Sequence, residues 1–380
     1  MNAAAGPLSD LRVVELAGIG PGPFACLLLA ELGAEVVRVD RLTGTGNDTA
    51  PSDVLNRSRP NLAVDLKSDA GRDVVLRLLD QADVLVEGMR PGVTERLGIG
   101  PDVCLERNPR LVYARMTGWG QEGPLALAAG HDINYAALSG ALHASGSAEK
   151  PHQPVNLLAD FGGGALYLVM GVLAALHERT ASDRGQVVDV AMVDGASSLM
   201  TMVYGMHADG HWVDRRESNL LDGGAPFYDT YRCADGKYVA VGALEPQFYR
   251  TLLEGLGLHF EAGQHEESAW PEHRKTLADT FANRTRDQWT AVFEGTDACV
   301  TPVLGLEEAP HHPHARARRT FTRVNDGHEP LVAPRFSRTP GLAPTSRREP
   351  GQDSTSVLAG AGISRDEIDR LLSSGTVRQS

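Results

Sequence analysis

The pair most able to move a proton is His131-Asp132, set in Ala129-Gly130-His131-Asp132-Ile133-Asn134-Tyr135 and preceded by Thr117-Gly118-Trp119-Gly120. Glycines on either side suit a loop whose backbone comes close to a ligand. Imidazole is the side chain that exchanges protons near neutrality. A lone histidine is usually structural, but the adjoining acid and the flanking glycines favour chemistry. A second proton-handling group is Asp160, in Asn156-Leu157-Leu158-Ala159-Asp160-Phe161-Gly162-Gly163-Gly164. An aspartate before a long apolar stretch can be a helix N-cap and nothing more, yet three consecutive glycines exceed what a cap needs. Glu245 follows the strand-like run 237–241 and precedes Pro246. The helix dipole alone would favour an acid there.

Cations recur after successive strand-like runs. Arg38 and Arg41 flank Asp40 at the end of the second run, and Lys67 and the stretch Gly88-Met89-Arg90-Pro91-Gly92 follow later ones, with Arg96 just after. Ligands of open α/β sheets bind at strand ends. Any one of these cations could be a solvated surface charge, but together they point to a phosphorylated ligand. That ligand is not expected to be nucleic acid, because 36 Lys and Arg against 49 Asp and Glu leave a formal charge of −13.

Other chemistries lack their patterns. The turn Gly18-Ile19-Gly20-Pro21-Gly22-Pro23 has Pro23 where a dinucleotide fingerprint needs its third glycine, so it reads first as a tight strand-to-helix turn. Pro313 divides His311 and His312 from His314, and the cysteines (26, 104, 233 and 299) form no Cys-x-x-Cys pair. No metal site is expected. The N-terminus has no signal-like core, and the apolar run 165–176 is too short to span a bilayer. The reading is a soluble cytoplasmic chain with no membrane partner.

The elements that would position these groups alternate. Strands are predicted at 11–16, 35–40, 83–87, 111–117 and 186–190. Helices are predicted after Gly22, with Phe24, Leu27, Leu28 and Leu32 on one face, and from a Ser68 cap to 81. This rhythm implies an α/β fold with a parallel sheet. A long buried helix is predicted over 162–179 and a helical stretch from 194. A loop follows at 210–224, then a strand-helix region to 304, an extended connection over 311–355 and an amphipathic helix over 364–372.

Taken together, 14–41, 63–67, 90–98, 116–135, 160–164 and 223–245 resemble the α-methylacyl-CoA racemases of the class III CoA-transferase superfamily. The resemblance covers nearly the whole chain and weakens over 257–294 and beyond 340. It implies a Rossmann-like large domain plus a smaller α/β domain, in an interlocked homodimer with a shared active site. The implied partition is 1–190 for the first part of the large domain, 191–225 for linker helices, 226–310 for the small domain, 311–335 for a return linker and 336–380 for the rest of the large domain. Arg41, Lys67, Arg90 and Arg96 match positions near the coenzyme A phosphates and adenine, and Ile19, Leu66, Gly88, Gly130 and Tyr135 match the same groove. His131 and Asp160 match the two bases, Asp132 the residue beside the histidine, and Glu245 the acid that orients it from the other chain. No resident cofactor is implied, since coenzyme A arrives as part of the acyl-CoA substrate.

The implied reaction inverts the α-carbon of a 2-methylacyl-CoA through an enolate, with a base on each face. The alternative is a class III CoA-transferase using Asp160 as nucleophile. Such transferases usually lack the histidine, and they carry four glycines then Gln where this chain has Gly223-Gly224-Ala225-Pro226. A non-catalytic acyl-CoA-binding protein would need neither base. The acyl chain stays open; Met192, Met200, Met202 and Met206 could line an apolar groove or simply pack a core.

Overall fold

A computed structural model describes residues 6–43, 54–324 and 327–380. The chain divides into two compact units. One holds Met1–Ser139, Pro154–Met200 and Leu331–Ser380; the other holds Gly140–Gln153 and Thr201–Pro330.

The first unit is built on β1 (Arg12–Leu16), β2 (Glu35–Asp40), β3 (Asn61–Val64), β4 (Val84–Glu87), β5 (Val112–Thr117) and β6 (Val187–Ala191), mostly runs of Val, Leu and Ala. They pair in parallel in the order β3-β2-β1-β4-β5-β6. The direction of strand addition reverses between β1 and β4, the switch point at which such sheets open a crevice. Its helices are α1 (Pro21–Glu31), α2 (Asp69–Leu79), α3 (Val93–Arg96), α4 (Pro101–Arg107), α5 (Asp132–Leu138), α7 (Tyr167–Ser182) and α8 (Met192–Leu199), while α6 (Ala141–Ala144) falls in the second unit. Ser68 caps α2 by accepting the Gly71 N–H at 3.0 Å, an interaction typically contributing about 1 kcal/mol. Rather than burying one face, α1 is buried almost all round, as a helix apolar on every side must be.

The long apolar helix starts earlier than its glycines suggest. A π-helical segment, Leu157–Leu166, runs directly into α7. The glycines are consumed by packing. A side chain on Gly163 would strike the Ala196 N at 2.5 Å, and one on Gly164 would meet Met192 at 2.9 Å and Pro21 at 3.3 Å. The combined helix Leu157–Ser182 is 26 residues long, and only a third of its most apolar window is buried. By length and composition it could cross a membrane, so the expectation that its apolar run is too short does not hold. It packs against α1, α8, β5 and β6 and leaves Leu166, Met170 and Leu173 open on one side.

The chain returns to this sheet at its far end. After α14 (Ser354–Gly360) and α15 (Arg365–Ser373, capped by Ser364), β12 (Val377–Arg378) pairs antiparallel with β3. Leu358, Ile368 and Leu371 thereby join Leu62, Val75, Leu79 and Leu85 in one core.

The second unit follows α9 (Thr201–Ala208) with an antiparallel sheet of β7 (Tyr228–Arg232), β8 (Tyr238–Gly242) and β9 (Val300–Pro302). Helices α10 (Pro246–Leu256), α11 (Trp270–Phe281) and α12 (Arg286–Phe293) close over it around Phe227, Leu277, Phe281 and Trp289. The bounds differ from the reading of the sequence, with 191–200 in the first unit and 201–225 and 311–330 in this one. Residues 140–153 belong to this unit. The predicted extended connection instead holds α13 (Pro313–Arg318) and the paired strands β10 (Phe321–Val324) and β11 (Gly327–Pro330).

Candidate active site

The candidate residues of the first unit gather at the C-terminal ends of its parallel strands. After β1 the chain turns through Gly18-Ile19-Gly20 into α1, with Gly20 at φ 68°, a left-handed conformation that side chains resist. A Cβ on Gly20 would stand 3.4 Å from Asp160 Oδ2, so this turn forms a wall of the Asp160 site. Ile19, at the tip, is 62% exposed.

Asp160 is not the N-cap that one reading made it. Asn156 holds that position, and Asp160 lies within the first turns of the π-helical segment. Its carboxylate accepts a hydrogen bond from Asn156 Nδ2 at 3.2 Å. Burial pushes the Asp160 carboxyl above its ordinary value. The Asn156 bond opposes the rise, the Asp132 charge adds to it, and the His131 charge lowers it. The imidazole and the carboxyl therefore sit close enough to sense each other.

His131 is exposed and starts α5, with its N–H donating to Asn134 Oδ1 at 3.0 Å. Asp132 points the other way. Its buried carboxylate accepts the N–H groups of Ala159 at 2.8 Å and Asp160 at 2.7 Å. Tyr135 is buried edge-on to Trp119, with ring centroids 4.7 Å apart. Burial raises the Tyr135 phenol, and the nearby charges of Asp160 and Asp132 raise it further. Its ring lies so near Gly118 that a Cβ there would overlap it, and a Cβ on Gly130 would meet it at 2.8 Å. These two glycines are needed to seat an aromatic ring beneath the His131 loop.

The cations divide into two kinds. Arg38 is buried and pairs with Glu15 at 2.8 Å and Asp40 at 2.9 Å, so it is structural and leaves the candidate anion pocket. Arg41, Lys67, Arg90 and Arg96 are exposed, following β2, β3 and β4. Among the described residues none of the four has an ion-pair partner. Leu66 is half-buried beside Lys67, and Gly88 is exposed at the end of β4. Gly92 lets the Arg96 side chain lie against the backbone, 3.1 Å from where a Cβ would be.

In the second unit Glu245 is exposed at the N-cap of α10, where its side chain makes no capping hydrogen bond. The helix-start reading therefore leaves its carboxylate uncommitted. Arg274 holds the Gly223-Gly224 turn by donating to both carbonyls at 2.6 Å. Met192 is buried beneath Gly164, so its role is packing. Two contributors escaped the reading of the sequence. Asn156 acts on Asp160 from four residues before it, a helical spacing that could have been noticed. The other is Arg115, inside β5, which pairs with Glu87 on the neighbouring strand at 2.8 Å.

Residues 8–354 match CoA-transferase family III. The chain belongs to CoA-transferase family III. Within that family it is 50% identical over 372 residues to an α-methylacyl-CoA racemase of Mus musculus, covering 96% of each chain. It is 45% identical to an α-methylacyl-CoA racemase of Homo sapiens, covering 98% of this chain and 99% of that one. A crystal structure of a CaiB/BaiF family protein from Brucella suis superposes with a TM-score of 0.82 at 23% identity, covering 94% of this chain and all of that one. That likeness concerns the fold alone.

Proposed function

We propose that this family III chain is a racemase that inverts the α-carbon of 2-methylacyl-CoA thioesters. The reading is carried by its identity to two α-methylacyl-CoA racemases over almost its whole length. The first unit supports it, with the His131 imidazole near enough to the Asp160 carboxyl for its charge to act on it.

An α-proton next to a thioester leaves only when charge on the enolate oxygen is stabilised. Backbone N–H groups in a Gly-rich loop can supply donors that need no reorganisation. His131 and Asp160 serve opposite faces of the α-carbon; one removes the proton while the other, protonated, returns one. An aspartate held above its ordinary value by burial suits that exchange, because its proton affinity moves toward that of an imidazole. A positioned base typically contributes about a hundred- to ten-thousandfold. Arg41, Lys67, Arg90 and Arg96 hold the phosphates and adenine end of coenzyme A, with Ile19, Leu66, Gly88, Gly130 and Tyr135 lining the groove.

The enzyme works as a homodimer. Leu166, Met170 and Leu173 recur at helical spacing on an open face, a pattern a second copy would cover. Glu245, with no capping bond of its own, orients His131 across the dimer. The four unpaired cysteines favour a reducing, cytoplasmic setting.

The test is NMR of each enantiomer of a 2-methylacyl-CoA in heavy water. Deuterium should enter the α-position with inversion from either side. His131→Ala should lose exchange chiefly from one enantiomer and Asp160→Ala chiefly from the other. Faster transfer of coenzyme A to a free carboxylic acid than exchange would make the chain a transferase instead.

A further inference from the structure

Arg115 and Glu87 face each other across adjacent parallel strands, in register on β5 and β4. Both are buried, Glu87 completely. The Arg115 guanidinium donates from Nε to Glu87 Oε1 at 2.8 Å and from Nη1 to Glu95 Oε1 at 2.8 Å. From Nη2 it also reaches Glu95 Oε2 and Thr94 Oγ1, each at 3.4 Å. Glu87 ends β4 and Glu95 lies in α3. Between them run Gly88, Arg90 and Gly92, and Arg96 follows at once. The second oxygen of Glu87 also accepts the Met89 N–H at 2.7 Å, fixing the first bend of that loop.

One guanidinium thus ties together both ends of the segment that carries two of the four unpaired cations. Burial pushes the Glu87 carboxyl up, with Met89 and Arg115 opposing. Burial is the largest single influence on Glu95 and raises it, but the Arg115 hydrogen bond, its own backbone N–H, the Arg115 charge and Thr94 together hold that carboxyl low. Such a tie needs a rigid fork that reaches two carboxylates at once, a geometry lysine lacks.

We infer that Arg115 is a positioning residue for acyl-CoA recognition, stapling the 87–95 loop so that Arg90 and Arg96 are presented in one fixed arrangement. The inference rests on the proposed placement of coenzyme A at those two arginines. It locates part of the affinity for the phosphorylated end of the substrate in a residue that never touches the substrate.

The experiment is steady-state racemisation with two substrates of the same acid. One is the acyl-CoA; the other is the acyl-pantetheine thioester, which lacks the phosphorylated nucleotide. Arg115→Lys keeps the buried positive charge opposite Glu87 but loses the fork. It should raise KM for the acyl-CoA roughly tenfold with kcat changed by less than about twofold. Its kcat/KM for the acyl-pantetheine should stay within about twofold of the parent. Glu95→Gln leaves the Arg115–Glu87 pair intact and should shift KM for the acyl-CoA the same way by about threefold; it carries the test if Arg115→Lys does not fold. A role in stability alone would be rescued by lysine. An acyl-CoA KM unchanged in the folded variants, or equal losses on both substrates, would therefore overturn the staple. Arg96→Ala is the control. If it too leaves KM for the acyl-CoA unchanged, the assignment of coenzyme A to this loop falls, and the staple with it.

Discussion

The carboxylate of Asp132 accepts the backbone N–H of Asp160 at 2.7 Å, and the same oxygen accepts that of Ala159 at 2.8 Å. Consecutive amides of the π-helical segment therefore end on the neighbour of His131. The start of α5 and the π-helical segment are fastened to each other through this one side chain. Asp132 acts on placement, and its own charge is a secondary influence that raises Asp160.

Asp132→Ala leaves one buried and one half-buried N–H group without an acceptor, at a cost of about 1–3 kcal/mol for the buried one. The thermal midpoint should fall, and racemisation should fall by more than the stability loss explains. Asp132→Asn keeps an acceptor oxygen and should retain most of the stability. Thermal melts and exchange rates of the two variants, compared side by side, check this; equal loss of activity with unchanged melting in both would show that the charge matters and the tether does not.

The pH dependence follows from the directions at Asp160. In the proposed exchange, the step in which Asp160 takes a proton requires its carboxylate, and burial holds that carboxyl above its ordinary value. The acid limb of kcat/KM for that direction should thus lie above the range of an exposed aspartate. Removing the opposing donor with Asn156→Ala should move the limb to higher pH, and Asp132→Asn should move it to lower pH. For stability the sign is fixed by the same shift. A carboxyl raised on folding stabilises the folded state at low pH, and this is lost as pH climbs from the unfolded to the folded value. Asp160→Asn should then melt higher than the parent at pH 7 while losing racemisation. Melts and rate profiles across pH measure both.

Gly118→Ala tests the seating of Tyr135. The added methyl would overlap the ring, and overpacking of this kind typically costs about 1–3 kcal/mol. Because the displaced ring lies under the His131 loop, exchange should drop at least tenfold, which is about 1.4 kcal/mol of transition-state stabilisation. Tyr135→Phe combined with Gly118→Ala should not recover it, since the clash involves ring carbons as well as the hydroxyl. Recovery in the double variant would put the fault in the hydroxyl alone.

A site shared between chains predicts complementation. His131→Ala and Glu245→Ala chains are each expected to be impaired. Co-expressed in equal amounts, they form heterodimers with one intact site, giving on the order of a quarter of parental activity if assortment is random. Tandem purification of the heterodimer, followed by an exchange assay, measures it. No recovery in the purified mixed dimer means Glu245 does not serve a partner's histidine.

The parallel sheet was legible in the sequence because its strands are short Val-rich runs punctuated by Gly, Pro and Asp, signals that survive without tertiary context. His131, Asp160 and the exposed cations stood out through their glycine-rich or strand-end surroundings. Arg115 did not, because a charge inside a hydrophobic strand has meaning only once the register sets it opposite Glu87. Arg38 misled for the same reason: its partners, Glu15 on β1 and Asp40 two residues on, make it internal. The π-helical start at Leu157 and the strands β10 and β11 were missed where local periodicity is weak and packing decides the conformation.

The antiparallel pairing of β12 with β3 also sets a timetable. Asn61, at the start of β3, receives the Gly351 N–H at 2.7 Å from 290 positions later, and its own N–H goes to Asp353 at 3.0 Å. During synthesis at roughly 5–20 residues per second, the edge of β3 is made early and waits for its neighbour while the entire second unit is translated. An unpaired edge is a template for the wrong partner. The second unit, made of Gly140–Gln153 and the continuous stretch Thr201–Pro330, can fold off the ribosome first, whereas the parallel sheet closes last. Loss of a few residues from the β12 end would therefore show as low yield and misassembly, with little change in the chemistry of the molecules that do mature.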